Sequence, residues 1–228
     1  MPYDLQGKKV LVTGGSRGLG ELISYKFAQA GCEVAVNYVA SEERAKGVAE
    51  KIERDYGMRA YGYTRFSTFS DLSAPTTEDW DKCYAVNVKA QALLMREAAA
   101  TFNDNVHGGV FIMTSSIAGK TLGGSSMPYS VTKAAQLHLM RCLASTQGPN
   151  IRVNAVLPGW LATEWSNLLM SVEGVKYSED RVKEMNQKAW LKKETDLGDC
   201  AQAFVDIARN TSMTGQRIQV DSGLGQND

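Results

Sequence analysis

KKVLVTGGSRGLGELISYKFAQAG, residues 8–31, is the stretch that decides the fold. Lys9 to Thr13 is a short β-branched run that ends in glycines, and Leu19 to Ala30 then carries apolar residues at helical spacing until Gly31 stops it. The reading is strand, turn, helix. Between the two elements, TGGSRGLG at Thr13 to Gly20 supplies glycines, which let a backbone turn tightly and approach a ligand closely. Free N–H groups in the first helical turn offer partial positive charge to a phosphate. Glycine spacing alone would describe any tight turn. After a strand and opening a helix, it points to dinucleotide binding.

The alternation continues outward. Glu33 to Tyr38 reads as a strand, and Ser41 caps a helix through Tyr56 whose first turn holds Glu42 and Glu43, where the helix dipole favours negative charge. Met58 to Thr64 is a third strand, Thr77 to about Phe102 a long helix, Gly109 to Thr114 a buried strand, Met127 to Thr146 a helix and Ile151 to Leu157 a strand. A polar helix over Glu179 to Leu191, a helix over Asp196 to Arg209 and a closing strand over Arg217 to Val220 complete the chain. Arg65 to Thr77, rich in Ser and Thr, reads as an exposed loop. Strands alternating with helices predict the α/β class, a Rossmann-like doubly wound parallel sheet covered on both faces. With 228 residues and no repeat or linker, one domain spanning 1–228 is expected.

Composition removes whole classes of function. The 25 Lys plus Arg balance the 25 Asp plus Glu, so neither a nucleic acid nor an anionic membrane surface is expected as a partner. MPYDLQGKKVLVTGG reaches the glycine loop with no long apolar run before it, so neither signal peptide nor anchor is expected and the cytoplasm is the expected compartment. Cys32, Cys83, Cys142 and Cys200 are far apart, with His107 and His138 the sole histidines. Metal and thioredoxin-type chemistry therefore lack ligand spacing, and buried or partly buried free thiols are expected.

Tyr129 and Lys133 stand i, i+4 at the start of a predicted helix, on one face. A phenol titrating near ~10 is a poor base at neutral pH, and a neighbouring ammonium favours its ionised form. Such a pair is common by chance on exposed helices. Ser116 adds weight to it, placed just after the buried strand that ends in MTSS.

TGGSRGLG, Ser116, Tyr129 and Lys133, together with Asn87 in YAVNV, LPGWLAT at 157–163 and TGQRIQVDSG at 214–223, resemble the short-chain dehydrogenase/reductase family in order and spacing. Within it the likeness is to 3-oxoacyl-ACP-reductase-like enzymes and to fungal NADP-dependent ketoreductases and polyol dehydrogenases. The resemblance implies an oxidoreductase moving a hydride between a nicotinamide cofactor and a small-molecule carbonyl or secondary alcohol. It implies Tyr129 as proton donor or acceptor and Ser116 as the group polarising the carbonyl. Lys133 would lower the Tyr129 pKa and hold the nicotinamide ribose, and Asn87 would hold a water in a relay to Lys133. It further implies cofactor contacts from Gly14, Ser16, Arg17, Gly18, Leu19, Gly20, Asn37, Tyr38, Tyr129, Lys133, Pro158, Gly159 and Thr163. Asn37 and Tyr38 stand where NAD-preferring members carry an acid, and Arg17 is placed to reach a 2′-phosphate, so NADP(H) is expected before NAD(H). Residues 160–191 would form the substrate lid. Pairing through the two long helices into a homodimer or homotetramer is expected.

The chain departs from the family after Thr64. There the family has a further helix and a central strand ending in Asn-Asn-Ala-Gly, and here the chain passes directly to RFSTFSDLSAPTTEDWDK. Either the slot stays open, or the strand at Gly109 to Thr114 moves beside Lys9 to Thr13 in a six-stranded sheet. Such a shift would displace Ser116 by about 5 Å relative to the glycine loop. A catalytically impaired dinucleotide-binding or oligomer-forming relative is therefore the alternative to an active enzyme.

Overall fold

A computed structural model describes residues 3–38, 43, 44, 47, 48, 75–163 and 179–226. The expected strand at 58–64 and most of the helix at 41–56 lie outside the described residues, as do residues 164–178 of the lid at 160–191. Two compact units divide the chain. The first comprises Met1–Thr64, Leu161–Val172 and Asp196–Thr211, and the second Arg65–Trp160, Glu173–Thr195 and Ser212–Asp228.

In the first unit, β1 (Lys9–Thr13) pairs in parallel with β2 (Glu33–Asn37), Lys9 opposite Glu33 and Thr13 opposite Asn37. The crossover between them is α1 (Gly18–Gln29), which buries Ile23, Phe27 and Ala28. Val12, Val34 and Val36 are the buried positions of the two strands, set by the two-residue alternation of strand side chains. A second helix, running Leu197–Arg209, packs on α1 and buries Ala201, Phe204, Val205 and Ile207. Its start is fixed by Asp196, whose carboxylate accepts the Asp199 N–H at 2.8 Å, an N-cap one residue outside the helix that the sequence reading began at Asp196.

The second unit holds a three-stranded parallel sheet in the order β3-β4-β5, made of Gly109–Thr114, Ile151–Pro158 and Arg217–Val220. β4 is the middle strand and is buried along almost its whole length. Its one buried amide side chain, Asn154, is satisfied at both ends: Nδ2 donates to Met213 O at 2.9 Å and Oδ1 accepts the Gln216 N–H at 3.0 Å, which fixes the entry into β5. The core combines Met113, Ile151, Val153, Ala155 and Leu157 of the sheet with Met95, Leu137 and Met140 of the helices.

The single long helix expected over 77–102 is three pieces: α2 (Thr77–Tyr84), a five-residue π turn (Ala85–Lys89) and α3 (Ala90–Asp104). A reciprocal Thr76–Asp79 capping box starts α2. The helix α4 (Met127–Gln147) follows β3, with the Ser126 hydroxyl accepting the Tyr129 N–H at 3.3 Å and Pro128 in the first turn. α5 (Glu179–Lys188) ends short of the expected Leu191, and the helix at Leu197–Arg209 is α6 in chain order. Among the described strands, β1 pairs with β2, and β4 pairs with β3 on one side and β5 on the other.

Candidate active site

The glycine loop lies in the first unit. Gly15 N–H donates to Asn37 O at 3.2 Å, which ties the loop to the end of β2 and brings Asn37, with Tyr38 after it, to the loop. Gly14 has a φ of +70°, a left-handed conformation that favours glycine, with nothing within 4 Å of the position a Cβ would take. At Gly20 a Cβ would run into the Gly14 carbonyl, so the helix start and the loop can approach only without a side chain there. Ser16 is buried, while Gly18 and Leu19 begin α1 part-exposed. Arg17 occupies the N-cap position with extended backbone and makes no capping hydrogen bond from its side chain. Thr163 lies beside Gly18, its methyl 3.6 Å from where a Cβ would stand.

The second unit brings Ser116, Tyr129 and Lys133 together. Ser116 follows β3 and caps a short 3-10 turn (Ile117–Gly119), its Oγ accepting the Ala118 N–H at 3.2 Å, and its side chain acts on the Tyr129 phenol in the direction that favours the phenolate. Lys133, one turn along α4, places Nζ 5.5 Å from the Tyr129 ring centroid. Lys133 is 7% exposed, and its ammonium donates to Thr114 O at 2.8 Å and to Gln136 Oε1 at 3.3 Å. Asn87 is buried in the π turn and reaches the same helix at a different residue, its Nδ2 donating to Thr132 Oγ1 at 3.0 Å. π turns of this kind recur at functional sites.

Electrostatics in the chain alone run opposite to the expectation for the Tyr129 and Lys133 pair. Burial pushes the Tyr129 phenol up to about 12, against the Ser116 side chain, which favours the phenolate, and the nearby Cys83 thiolate would raise it further. Burial likewise pushes Lys133 down to about 8. Desolvation outweighs the other influences on each group. Cys83 itself is raised by burial and by Asp79, with Lys133 opposing. Of the four cysteines Cys32 and Cys200 are buried and Cys83 is intermediate, whereas Cys142 is exposed rather than buried, because it falls on the outward side of α4.

Pro158 and Gly159 close β4 in the second unit, and Gly159 N–H donates to Val220 O at 2.9 Å. A Cβ on Gly159 would stand 2.7 Å from both Asp221 Cα and Thr195 Oγ1. Thr195 is buried with no hydrogen-bond partner for its hydroxyl. The Asp221 carboxylate accepts the N–H groups of Gly223 and Gly225 at 3.0 and 2.7 Å and the Gln219 amide at 2.6 Å, which fixes the carboxyl-terminal turn.

Sequence reading passed over Thr132, Gln136 and Cys83. Thr132 and Gln136 lie on the buried face of α4 together with Ser130 and Lys133, beside Pro128, Leu137 and Met140. Cys83 carried no sequence signal.

The family described as short chain dehydrogenase matches residues 8–65, and the one described as Enoyl-(Acyl carrier protein) reductase matches residues 55–225. The two matches meet where the sequence departs from its expected pattern. An uncharacterized oxidoreductase of Thermotoga maritima is 31% identical over 250 residues, covering 96% of this chain and 98% of that protein. Versicolorin reductase 1 of Aspergillus parasiticus is 31% identical over 261 residues, with 97% of each covered. Both alignments are longer than the 228-residue chain, so these relatives carry residues that have no counterpart here. A short chain dehydrogenase of Burkholderia cenocepacia, crystallised in complex with NADP, superposes with a TM-score of 0.81 at 25% identity, covering 97% of this chain and 99% of that one. A glycine loop between β1 and α1, a Ser-Tyr-Lys cluster between β3 and α4, and family matches that run from residue 8 to residue 225 together establish that this chain belongs to the short-chain dehydrogenase/reductase family of oxidoreductases.

Proposed function

We propose that the chain is an NADP(H)-dependent carbonyl reductase, reversible as an alcohol dehydrogenase, acting on a small molecule in the cytoplasm. The observation that carries this reading is the grouping of Ser116, the Tyr129 phenol on which it acts and the Lys133 ammonium beside the ring, 5.5 Å from its centroid. Tyr129, whose phenol keeps its proton at neutral pH, stands as the group that exchanges a proton with the carbonyl or alcohol oxygen. Ser116 donates to the same oxygen and polarises it. Lys133 holds positive charge beside the phenol, and Asn87 holds the water through which Lys133 returns a proton.

The residues fit the cofactor. Open space beside the left-handed Gly14 and a first helical turn that the Arg17 side chain leaves uncapped suit a pyrophosphate held by Gly14, Ser16, Gly18, Leu19 and Gly20. Arg17 would pair with a 2′-phosphate, and Asn37 and Tyr38 would hold the adenosine ribose. By the family resemblance Tyr129, Lys133, Pro158, Gly159 and Thr163 would receive the nicotinamide end. NADPH, when bound, supplies the hydride that reaches the carbonyl carbon. Among the described residues no helix is long and apolar enough to cross a membrane, and no group of His, Cys, Asp and Glu could hold a metal. Tyr84, Leu93 and Val131, each about half exposed on α2, α3 and α4, support pairing of copies into a homodimer or homotetramer, which light scattering checks.

Consumption of NADPH in step with reduction of a ketone panel tests the function. Ser116→Ala is expected to lower kcat about 100-fold, as for loss of a donor to a developing oxyanion. Equal rates in the two proteins would remove Ser116 from the reaction. A second reading, a catalytically impaired relative, is favoured by one observation: the alignments to relatives exceed this chain in length. Inserting a helix, a strand and an Asn-Asn-Ala-Gly turn after Thr64 decides between them. A large gain in thermal midpoint and turnover supports the impaired reading, and no gain supports the active one.

A further inference from the structure

Thr132 stands between Tyr129 and Lys133 in the chain and is 2% exposed, yet neither the proton path nor the cofactor reading uses it. Its hydroxyl is fully employed. Oγ1 donates to the α4 carbonyls, Pro128 O at 2.7 Å and Tyr129 O at 3.0 Å, and accepts the Asn87 amide at 3.0 Å. A threonine hydroxyl has one proton and two lone pairs, so it can anchor to its own helix while holding a second element. Asn87 is 5% exposed and sits in the middle of the π turn Ala85–Lys89. A turn that admits one extra residue is less favourable than regular α-helix and needs tertiary support to persist.

We propose that Thr132 is a positioning residue: its hydroxyl clamps Asn87, and through it the wide turn at Ala85–Lys89, to the helix that carries Tyr129 and Lys133. The clamp itself follows from the geometry, while its effect on turnover rests on the reductase reading. Valine has the shape of threonine without the hydroxyl, and serine keeps the hydroxyl without the methyl. Thr132→Val therefore removes the clamp, and Thr132→Ser retains it.

Amide hydrogen exchange over residues 85–89 in the full chain is the primary test. Thr132→Val is expected to speed exchange there about tenfold, the change that loss of one buried hydrogen bond produces, and Thr132→Ser to stay near wild type. Unchanged exchange in Thr132→Val, or equal acceleration in both variants, overturns the proposal. With NADPH and a ketone, Thr132→Val is expected to lower kcat about tenfold with KM for NADPH unchanged, and Thr132→Ser to restore it. A Thr132→Val protein with wild-type kcat, or a loss confined to KM, overturns the positioning role. A wild-type chain without turnover would sink the reductase reading and leave the clamp to be decided by exchange alone. Should Thr132→Val not fold, the wild-type chain decides: Asn87 side-chain amide protons protected from solvent support the clamp, and protons exchanging like those of exposed Asn105 overturn it.

Discussion

β1 and β4 are both apolar parallel strands, and they meet opposite fates. β4 lies between two strands, and Leu157 in it is 0% exposed. β1 pairs with β2 alone among the described residues, and Leu11 at its centre is 61% exposed. A two-stranded sheet is marginal without further cover, whereas a middle strand gains hydrogen bonds along both edges and contacts on both faces. The difference teaches where this chain concentrates its stability. The Ser116, Tyr129 and Lys133 cluster rests on the three-stranded sheet, and the glycine loop on two strands that, among the described residues, pair with each other.

Substitutions in the two strands sharpen that contrast most. Leu157→Ala is expected to lower unfolding stability by about 2–5 kcal/mol, because it leaves a cavity in a closed core. Leu11→Ala is expected to change it by less than about 0.5 kcal/mol, the range for exposed positions. Urea denaturation compares them, and similar losses would mean that β1 is as well covered as β4. Next in size, Arg17→Ala is expected to weaken NADPH binding about 10- to 100-fold and NADH binding little, because only the former carries the 2′-phosphate. Nicotinamide fluorescence titration reads the ratio, and equal losses would take Arg17 out of the site.

The smallest effect is one of pH. Burial lowers Lys133 from 10.5 to about 8, so between those values the unfolded chain holds a proton that the folded chain has released, and stability rises with pH. Cys32 and Cys200, in the first unit, move the other way, from 9.0 to about 11 and about 12 through burial. From about pH 8 upward the folded chain keeps thiol protons that the unfolded chain gives up, which offsets the gain. From pH 8 to 9 Lys133 alone contributes about 1 kcal/mol in the cofactor-free protein, most of it opposed by the thiols, so the difference between wild type and Lys133→Met should grow by about 1 kcal/mol over that interval. A difference that stays constant or shrinks would contradict the desolvation of Lys133.

The elements built on periodicity and glycine were legible. TGGSRGLG fixed β1, α1 and the loop between them because left-handed and close-packed backbone demands glycine, as Gly14 and Gly20 show. The order of Ser116, Tyr129 and Lys133 was legible as a motif. The π turn was not, because residues 77–104 keep helical composition throughout and a change from i+4 to i+5 bonding leaves no mark in residue type. The direction of the Tyr129 shift was also hidden. Spacing announces that an ammonium is near a phenol, but the competing burial depends on the packing of β3, the 3-10 turn and the helices around them.

Tyr129→Phe tests the central claim most directly, since it deletes the proton of the phenol and almost no volume. NADPH and a reducible ketone should give a kcat about 100- to 10,000-fold below wild type, the range for loss of a positioned general acid, while NADPH affinity by fluorescence stays within about twofold. A Tyr129→Phe protein that reduces the ketone at near the wild-type rate would contradict the account.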